Sequence, residues 1–232
     1  VATKRAREYV IRLGEPAERV HVTGCPSLDV IADIEWSLPS ELIDHRLGVG
    51  ATIDPSEPYI VIAQHPVTTE YGSGVEQINQ TLQAVEKIGM QAVWLWPNID
   101  AGSDDISKAL RIHREQHPDN TIRFYINFSV EDYARLIKNS ACLIGNSSSG
   151  IREGAFLGVP AVNIGTRQAG RERADNVIDV DYDADRIVTA MKQQLDHGPY
   201  APDDLYGDGR AGQRIAELLK TASLSVQKQL TY

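Results

Sequence analysis

From about residue 58 onward, short apolar runs rich in β-branched residues alternate with longer amphipathic segments. Such short runs are typical of buried strands, and the longer segments repeat their apolar residues with helical spacing. The predicted strands are Tyr59–Ala63, Gln91–Trp96, Thr121–Tyr125, Ala141–Ile144, Pro160–Ile164 and Asn176–Val180. The predicted helices are Gly74–Ile88, Asp104–Gln116, Ser129–Lys138, Gly150–Leu157 and Ala184–Leu195. This alternation predicts an α/β fold in which right-handed crossovers place helices on both faces of one doubly wound parallel sheet.

Residues 1–37 follow a different pattern. A basic amphipathic helix is predicted over Thr3–Leu13, and a short strand over Val20–Thr23. Because one helix and one strand cannot bury a sheet on two faces, this segment must pack against something else. We interpret residues 1–37 as the tail of a missing amino-terminal domain with its hinge. Residues 38–232 are interpreted as one domain that ends in a helix over Arg210–Thr221.

The composition is that of a folded globular protein, with 42% hydrophobic and 24% charged residues among 232, which excludes collagens, mucins and disordered tails. The 23 basic and 32 acidic side chains give a formal charge of −9. Nucleic-acid binding through bulk charge is therefore disfavoured, and any phosphate site must be local. No apolar run has the length of a membrane span or resembles a signal peptide, so we expect a cytoplasmic setting without a membrane partner.

The strongest chemical signal is the segment 145–154, GNSSSGIREG, between a predicted strand and a helix. Backbone N–H groups and serine hydroxyls that converge at such a point favour an anion. A single serine would more simply cap the helix, but three in a row between Gly145 and Gly150 favour phosphate binding. Glu153, one turn into the helix, either complements the helix dipole or accepts hydrogen bonds from the vicinal hydroxyls of a sugar.

Three arginines follow the predicted strand Pro160–Ile164. Arg167 is expected to emerge beside the serine segment, where its guanidinium could hold a diphosphate. Arg171 and Arg173 follow shortly after, and one of the three is expected to be a surface or ion-paired residue. The sequence does not say which.

Two further strands end in polar side chains. His65 follows the first strand of the domain, at the edge where open α/β sheets bind ligands, although a single histidine is often structural. Asn98 and Asp100 follow the second strand, where they either bind hydroxyls or cap a turn. Polar groups at four strand ends of one sheet favour a shared site.

We expect no metal centre and no cofactor, because we identify neither HxxxH nor HExxH spacing among the six histidines, and no carboxylates with EF-hand spacing. The run GNSSSG is also not a GxSxG nucleophile elbow, so hydrolysis through a serine nucleophile is not expected. The two cysteines lack the spacing of a zinc site, and Cys142 lies in an apolar run that predicts a core position.

Six ordered motifs resemble the carboxyl-terminal half of the hydrolysing UDP-N-acetylglucosamine 2-epimerases of sialic acid biosynthesis. They are GCPSLD at 24–29, QHPVTT at 64–69, PNIDAGS at 97–103, GNSSSGIRE at 145–153, NIGTRQ at 163–168 and YGDG at 206–209. The resemblance implies a glycosyltransferase-B-like fold in which two Rossmann-like domains clasp a UDP-sugar. It also implies that the full-length protein is a homo-oligomer.

The resemblance assigns roles to the candidate residues. It implies His65 as the catalytic histidine, and Asn98, Phe128, Ser147, Ser148, Glu153 and Arg167 as contacts to the UDP-sugar. The two serines would hold the phosphates, the glutamate the ribose hydroxyls and the arginine the diphosphate. The backbone near the phenylalanine would contact the uracil.

The implied reaction converts UDP-N-acetylglucosamine and water to N-acetylmannosamine and UDP, by anti elimination through 2-acetamidoglucal. The proton-moving carboxylates of this family lie in the amino-terminal domain, so the chain alone is expected to bind UDP and turn over little. The alternatives are a hydrolysing UDP-N,N′-diacetylbacillosamine 2-epimerase or, for the chain in isolation, a UDP-binding module without activity. A non-hydrolysing epimerase is less favoured, because Gln64-His65-Pro66 stands where those enzymes carry a His-Arg-Arg-Glu type of segment.

Overall fold

The computed structural model describes residues 1–39, 42–43 and 48–223. The chain divides into two compact units, one made of Val1–Glu35 with the described part of Asp203–Tyr232, and the other of Trp36–Pro202. The sequence interpretation assigned the last helix to the domain that starts at residue 38, whereas the structure groups it with the amino-terminal residues. The interpretation of residues 1–37 as the tail of a missing domain stays a prediction.

The described residues contain the following elements. The helices are α1 (Lys4–Arg12), α2 (Pro26–Ala32), α3 (Gly74–Ile88), α4 (Ser103–Gln116), α5 (Val130–Lys138), α6 (Glu153–Leu157), α7 (Ala184–His197) and α8 (Ala211–Thr221). The strands are β1 (Val49–Gly50), β2 (Tyr59–Ala63), β3 (Gln91–Leu95), β4 (Ile122–Tyr125), β5 (Cys142–Gly145), β6 (Ala161–Ile164) and β7 (Val177–Val180). Short 3-10 turns cover Ala17–Arg19, Thr68–Glu70 and Ser148–Gly150. All strands and helices predicted after residue 58 are present, with ends that agree or differ by at most three residues.

The strands form one sheet in the order β1-β4-β3-β2-β5-β6-β7. All neighbours are parallel except β1, which pairs antiparallel with β4 at the edge. The six parallel strands have the order of a Rossmann fold, in which the chain reverses its direction of winding between the first and fourth strands. This confirms the predicted doubly wound sheet and places the switch point between β2 and β5.

Helices cover both faces of the sheet. On one face α3 packs against α4 and α7, and their apolar side chains, such as Ile78, Leu82 and Met191, join the main core with Ile60 and Ile62 of β2. On the other face α5 packs against α6, and the buried Tyr59 hydroxyl of β2 donates to the backbone carbonyl of Leu136 in α5, 2.7 Å away. The central strands are therefore buried on both sides, as their continuous apolar runs predict. Cys142 lies in this core, which confirms its predicted position.

The first unit is held by contacts between the segments that surround α2 and α8. Gly24 has a φ of +91°, and a Cβ built on it would lie 3.2 Å from the Cα of Gly207. At this close approach the backbone N–H of Cys25 donates to the carbonyl of Tyr206 at 2.7 Å. The carboxylate of Asp29 accepts from the first backbone N–H groups of α8. Two of the sequence motifs, GCPSLD and YGDG, thus contact each other.

The predicted strand Val20–Thr23 is wrong, since these residues form no ladder with another strand. The segment is instead fixed by other donors and acceptors: the carbonyl of Val20 accepts from the Arg7 guanidinium, and the N–H of Thr23 donates to the carbonyl of Val1. An apolar run predicts a strand only where a partner strand is available.

None of the helices of the described residues has the length and apolar character needed to cross a membrane.

We expect the substitution Gly145→Ala to destabilise the second unit far more than Gly170→Ala. Both glycines have a positive φ, so both variants carry backbone strain of roughly 1–2 kcal/mol. A Cβ on Gly145 would in addition lie 2.3 Å from the carbonyl oxygen of Ala63, whereas a Cβ on Gly170 meets nothing within 4 Å. Overpacking of this kind costs about 1–3 kcal/mol more, or prevents folding.

Urea unfolding followed by tryptophan fluorescence measures the difference, because all three tryptophans lie in the second unit. Equal losses of unfolding free energy in the two variants would contradict the close approach of β2 and β5 at Gly145.

Candidate functional site

The side chain of Asn146 joins the ends of the two central strands at the switch point. It is fully buried, its Oδ1 accepts from the backbone N–H of His65 at 2.7 Å, and its Nδ2 donates to the carbonyl of His65 at 2.8 Å. The backbone N–H groups of Asn146 and Ser147 both donate to the carbonyl of Ala63, at 3.1 and 3.2 Å. These four hydrogen bonds hold the loops after β2 and β5 against each other.

The backbone carbonyl of Asn146 accepts hydrogen bonds from two residues that follow β6. Arg167 Nη1 donates to it at 3.2 Å, and Gln168 Nε2 donates to it at 2.8 Å. Arg167 Nη2 also lies 3.6 Å from the carboxylate of Asp100, which follows β3. The structure therefore brings His65, Asp100 and Arg167 together around Asn146.

The three arginines after β6 have different environments. Arg167 is partly buried and directed to the loop after β5, as described above. Arg173 forms two hydrogen bonds with the carboxylate of Asp179, at 2.9 and 3.0 Å, and Arg171 is exposed. Of these three, Arg167 alone donates to the serine loop among the described residues.

His65 is a neutral hydrogen-bond donor at this site. Its burial, together with the positive charge of Arg167, lowers its pKa to about 4, and Asp100 only partly opposes this shift. The backbone N–H of Asn98 donates to His65 Nδ1 at 3.1 Å. Since Nδ1 accepts, the proton of the neutral ring is on Nε2. The Asn98 side chain itself is exposed.

The three serines of the loop have separate roles. Ser149 is buried, and its hydroxyl donates to Ser147 Oγ at 2.8 Å and lies 2.7 Å from the hydroxyl of Tyr133. Burial raises the pKa of Tyr133 to about 12, so this tyrosine stays protonated and can donate to Ser149. The chain of donors ends at Ser147, whose own proton is then available to an anion. Ser149 is thus a supporting residue, while Ser147 and Ser148 are partly exposed.

Arg152 connects the serine turn with the start of α6. Its Nη2 donates to Ser148 Oγ at 3.1 Å and lies 3.5 Å from Glu153 Oε1. Glu153 is the first residue of α6, and its side chain is 13% exposed. This places a second guanidinium and a carboxylate beside the serine hydroxyls.

Phe128 lies in the loop after β4, at the same edge of the sheet. Its side chain is buried, with the ring centroid 4.9 Å from that of Tyr125. Its backbone N–H donates to Asn127 Oδ1 at 2.9 Å. A ligand that takes this N–H must therefore displace the Asn127 side chain.

Sequence reasoning did not single out Asn146, Gln168, Arg152 or Tyr133. The first three lie inside the motifs quoted above, so their positions in those motifs were an available signal. No such signal pointed to Tyr133, because it comes from α5 and meets the serine turn only through the tertiary packing of α5 against α6.

Glu70 was likewise missed. It accepts from Gln77 Nε2 at 2.6 Å and from the Thr166 hydroxyl, and it thereby connects the loop after β2 to the loop after β6.

We expect His65 to stay neutral from pH 8 down to about pH 5, with the proton on Nε2. An ordinary histidine titrates near pH 6.5, whereas burial and Arg167 lower the pKa of His65 to about 4. Long-range proton–nitrogen NMR spectra of the imidazole measure both the tautomer and the midpoint. A midpoint near 6.5, or a proton on Nδ1, would contradict the assignment.

The lowered pKa of His65 also predicts how the free energy of unfolding depends on pH. The folded pKa lies below the unfolded value, so the unfolded chain binds this proton first. The contribution of His65 to stability is therefore complete above pH 6.5 and is lost as the pH falls towards about 4.

The family model described as UDP-N-acetylglucosamine 2-epimerase matches residues 1–220. The chain is 34% identical over 227 residues to the UDP-N,N′-diacetylbacillosamine 2-epimerase (hydrolyzing) of Legionella pneumophila. It is 33% identical over 236 residues to the UDP-N-acetylglucosamine 2-epimerase of Neisseria meningitidis. These alignments cover 98% and 99% of this chain but 58% and 60% of the two relatives, so the chain spans little more than half of their length.

Solved structures show the same fold. The crystal structure of the UDP-GlcNAc 2-epimerase from Neisseria meningitidis bound to UDP-GlcNAc has a TM-score of 0.74 and 16% identity, and the match covers 96% of this chain and 61% of that one. The enzyme from Methanocaldococcus jannaschii, in complex with UDP-GlcNAc and UDP, has a TM-score of 0.73 and 15% identity, with 96% and 60% covered. These likenesses confirm the predicted fold. Together with the family match over nearly the whole length, they show that the chain belongs to the UDP-N-acetylglucosamine 2-epimerase family.

Proposed function

We propose that this chain is the nucleotide-binding part of a hydrolysing UDP-N-acetylglucosamine 2-epimerase, which converts UDP-N-acetylglucosamine and water to N-acetylmannosamine and UDP. The observation that carries the proposal is the meeting of His65, Ser147 and Arg167 around Asn146 at the switch point of the sheet. Open α/β sheets bind their ligands at this point, and the groups that meet here are donors suited to an anion.

The polar groups of the site match the successive parts of UDP, namely its phosphates, its ribose and its uracil. Ser147 and Ser148 would donate to the phosphates, and Arg167 would hold the diphosphate as a fixed cation. Glu153 would accept from the ribose hydroxyls, and the backbone near Phe128 would contact the uracil. The Tyr133–Ser149–Ser147 chain of hydroxyls supports this assignment, because it directs a donor towards the phosphate position.

In the proposed reaction, a base takes the proton from C2 of the sugar while the C1–O bond to UDP breaks and a C1=C2 double bond forms. Water then adds across this bond, with its hydroxyl at C1 and a proton at C2. Negative charge develops on the departing diphosphate, where Arg167, the serine hydroxyls and the Nε2–H of neutral His65 would stabilise it. The base that acts on C2 is expected to lie outside this chain.

A second candidate substrate, UDP-N,N′-diacetylbacillosamine, is supported by the similarity to the Legionella pneumophila enzyme that carries this name. The two substrates share UDP and differ at C4 and C6 of the sugar. The proposed contacts to UDP serve both equally.

We expect the chain of residues 1–232 to bind UDP, and Arg167→Ala to weaken binding by roughly 10- to 100-fold, since a hydrogen bond to a charged group contributes about 1.5–3 kcal/mol. Arg171→Ala is the matched control, because Arg171 lies four residues further along and is exposed. It should leave the affinity within about twofold. Calorimetric titration with UDP measures both. An equal affinity for Arg167→Ala and the unchanged chain would remove Arg167 from the site.

We expect the full-length protein, with the proposed amino-terminal domain, to release free N-acetylmannosamine and UDP from UDP-N-acetylglucosamine. Residues 1–232 alone should release neither at a comparable rate. Chromatography of the products with mass detection distinguishes the candidates: free N-acetylmannosamine supports the proposal, and a free diacetylated sugar formed only from UDP-N,N′-diacetylbacillosamine supports the second substrate. An epimerised nucleotide sugar, or a transferred glycoside, would contradict hydrolysis.

A further inference from the structure

Glu86, His113 and His117 form a cluster at the edge of the sheet opposite the candidate nucleotide site. Glu86 lies in the last turn of α3, His113 lies in the last turn of α4, and His117 follows α4 directly. In a sheet of parallel strands the helices run back from the carboxyl edge, so both of these helix ends lie at the amino edge. The cluster is therefore separate from His65 and the serine loop.

The geometry of the cluster is close to that of a metal site. Glu86 Oε1 lies 3.0 Å from His117 Nδ1 and 3.5 Å from His113 Nε2, and the three candidate ligand atoms lie within 4.8 Å of one another. Zinc bonds of about 2.0–2.2 Å place tetrahedral ligand atoms roughly 3.3 Å apart. Small side-chain rotations would thus bring all three atoms onto one ion.

The residue types and their spacing also fit a metal. His113 and His117 are four residues apart, one in the last turn of α4 and one directly after it. A carboxylate on the neighbouring helix completes a set of two histidines and one glutamate. The sequence-based expectation of no metal centre took HxxxH spacing to be missing. That premise is wrong, because His113 and His117 have this spacing in the run HREQH at 113–117.

The buried side chain of His113 is a second observation that points to a metal ion. The side chain is 9% exposed, and its Nε2 is a buried atom without a hydrogen-bond partner among the described residues. Its ring stacks on that of His117, with centroids 4.5 Å apart, so two protonated rings would repel each other.

The cluster is accessible to solutes. A cleft of about 440 Å³ is lined by Glu86 and His117, together with Gly89, Asp119 and residues around them. Glu86 and His117 are exposed, whereas His113 is buried and does not line the cleft. An ion can therefore reach Glu86 and His117 from solvent, and a small rotation of the His113 ring would bring its Nε2 to the same ion.

We propose that Glu86, His113 and His117 bind one transition-metal dication of the Zn²⁺ type, which joins the ends of α3 and α4. The ion satisfies the buried nitrogen of His113 and the carboxylate of Glu86 at the same time. Its role is to stabilise the amino edge of the sheet, away from the reaction.

The test is calorimetric titration of the chelator-treated chain with Zn²⁺, with thermal unfolding measured in the presence and absence of the ion. We expect one Zn²⁺ per chain and a higher Tm when it is bound. His117→Ala and Glu86→Gln should each lower the affinity at least about tenfold, since the loss of even an outer-shell partner of a metal ligand typically lowers metal affinity about 10- to 100-fold. Both residues are exposed, so both variants are expected to fold.

His197→Ala is the matched control, because His197 is also an exposed histidine at the end of a helix and also stacks on an aromatic ring. It should change the Zn²⁺ affinity less than about twofold. UDP binding by each variant reports on the fold and is independent of the metal. Binding without one-to-one saturation, or an affinity that His117→Ala and Glu86→Gln leave unchanged, would overturn the proposal and leave an ion pair only.

Discussion

The candidate site depends on one buried amide. Where parallel strands end, the backbone groups that follow lose their ladder partners and must find others. The Asn146 side chain supplies one acceptor and one donor to the N–H and the carbonyl of His65, at 2.7 and 2.8 Å. No aliphatic side chain of similar volume can do both, and leaving either group unpaired costs about 1–3 kcal/mol. The positions of His65 and of the serine loop relative to each other follow from this pair of bonds.

The same residue also determines the electrostatics of the site. Its backbone carbonyl accepts from Arg167 and Gln168, which fixes a guanidinium close to the imidazole of His65. That positive charge adds to burial in lowering the pKa of His65. The result is one permanent cation beside one neutral donor, so the donor pattern at the proposed diphosphate position does not change with pH near neutrality. A departing diphosphate needs donors that are in place before the charge develops.

The sequence predicted the second unit well because its signals are local. The helix Gly74–Ile88 was predicted with its observed ends, since its apolar face repeats regularly and Gly89, with a φ of +70°, ends it. The prediction of a strand at Val20–Thr23 is wrong because strand pairing depends on a partner that is distant along the chain. Which serine faces outward depends on Tyr133, and which arginine turns inward depends on Asp179 holding Arg173 elsewhere. These are tertiary contacts, and no pattern along the chain encodes them.

The topology also explains how one sheet can carry an anion site at one edge and the proposed cation site at the opposite edge. At the carboxyl edge, the serine turn and the loops after the strands present N–H groups, hydroxyls and a guanidinium, all of which favour an anion. At the amino edge, the helices end, and the partial negative charge of their carboxyl termini favours a cation. Glu86, His113 and His117 lie at the ends of two such helices. The helix dipoles therefore add to the attraction of the carboxylate for a dication, and they disfavour an anion at the same place.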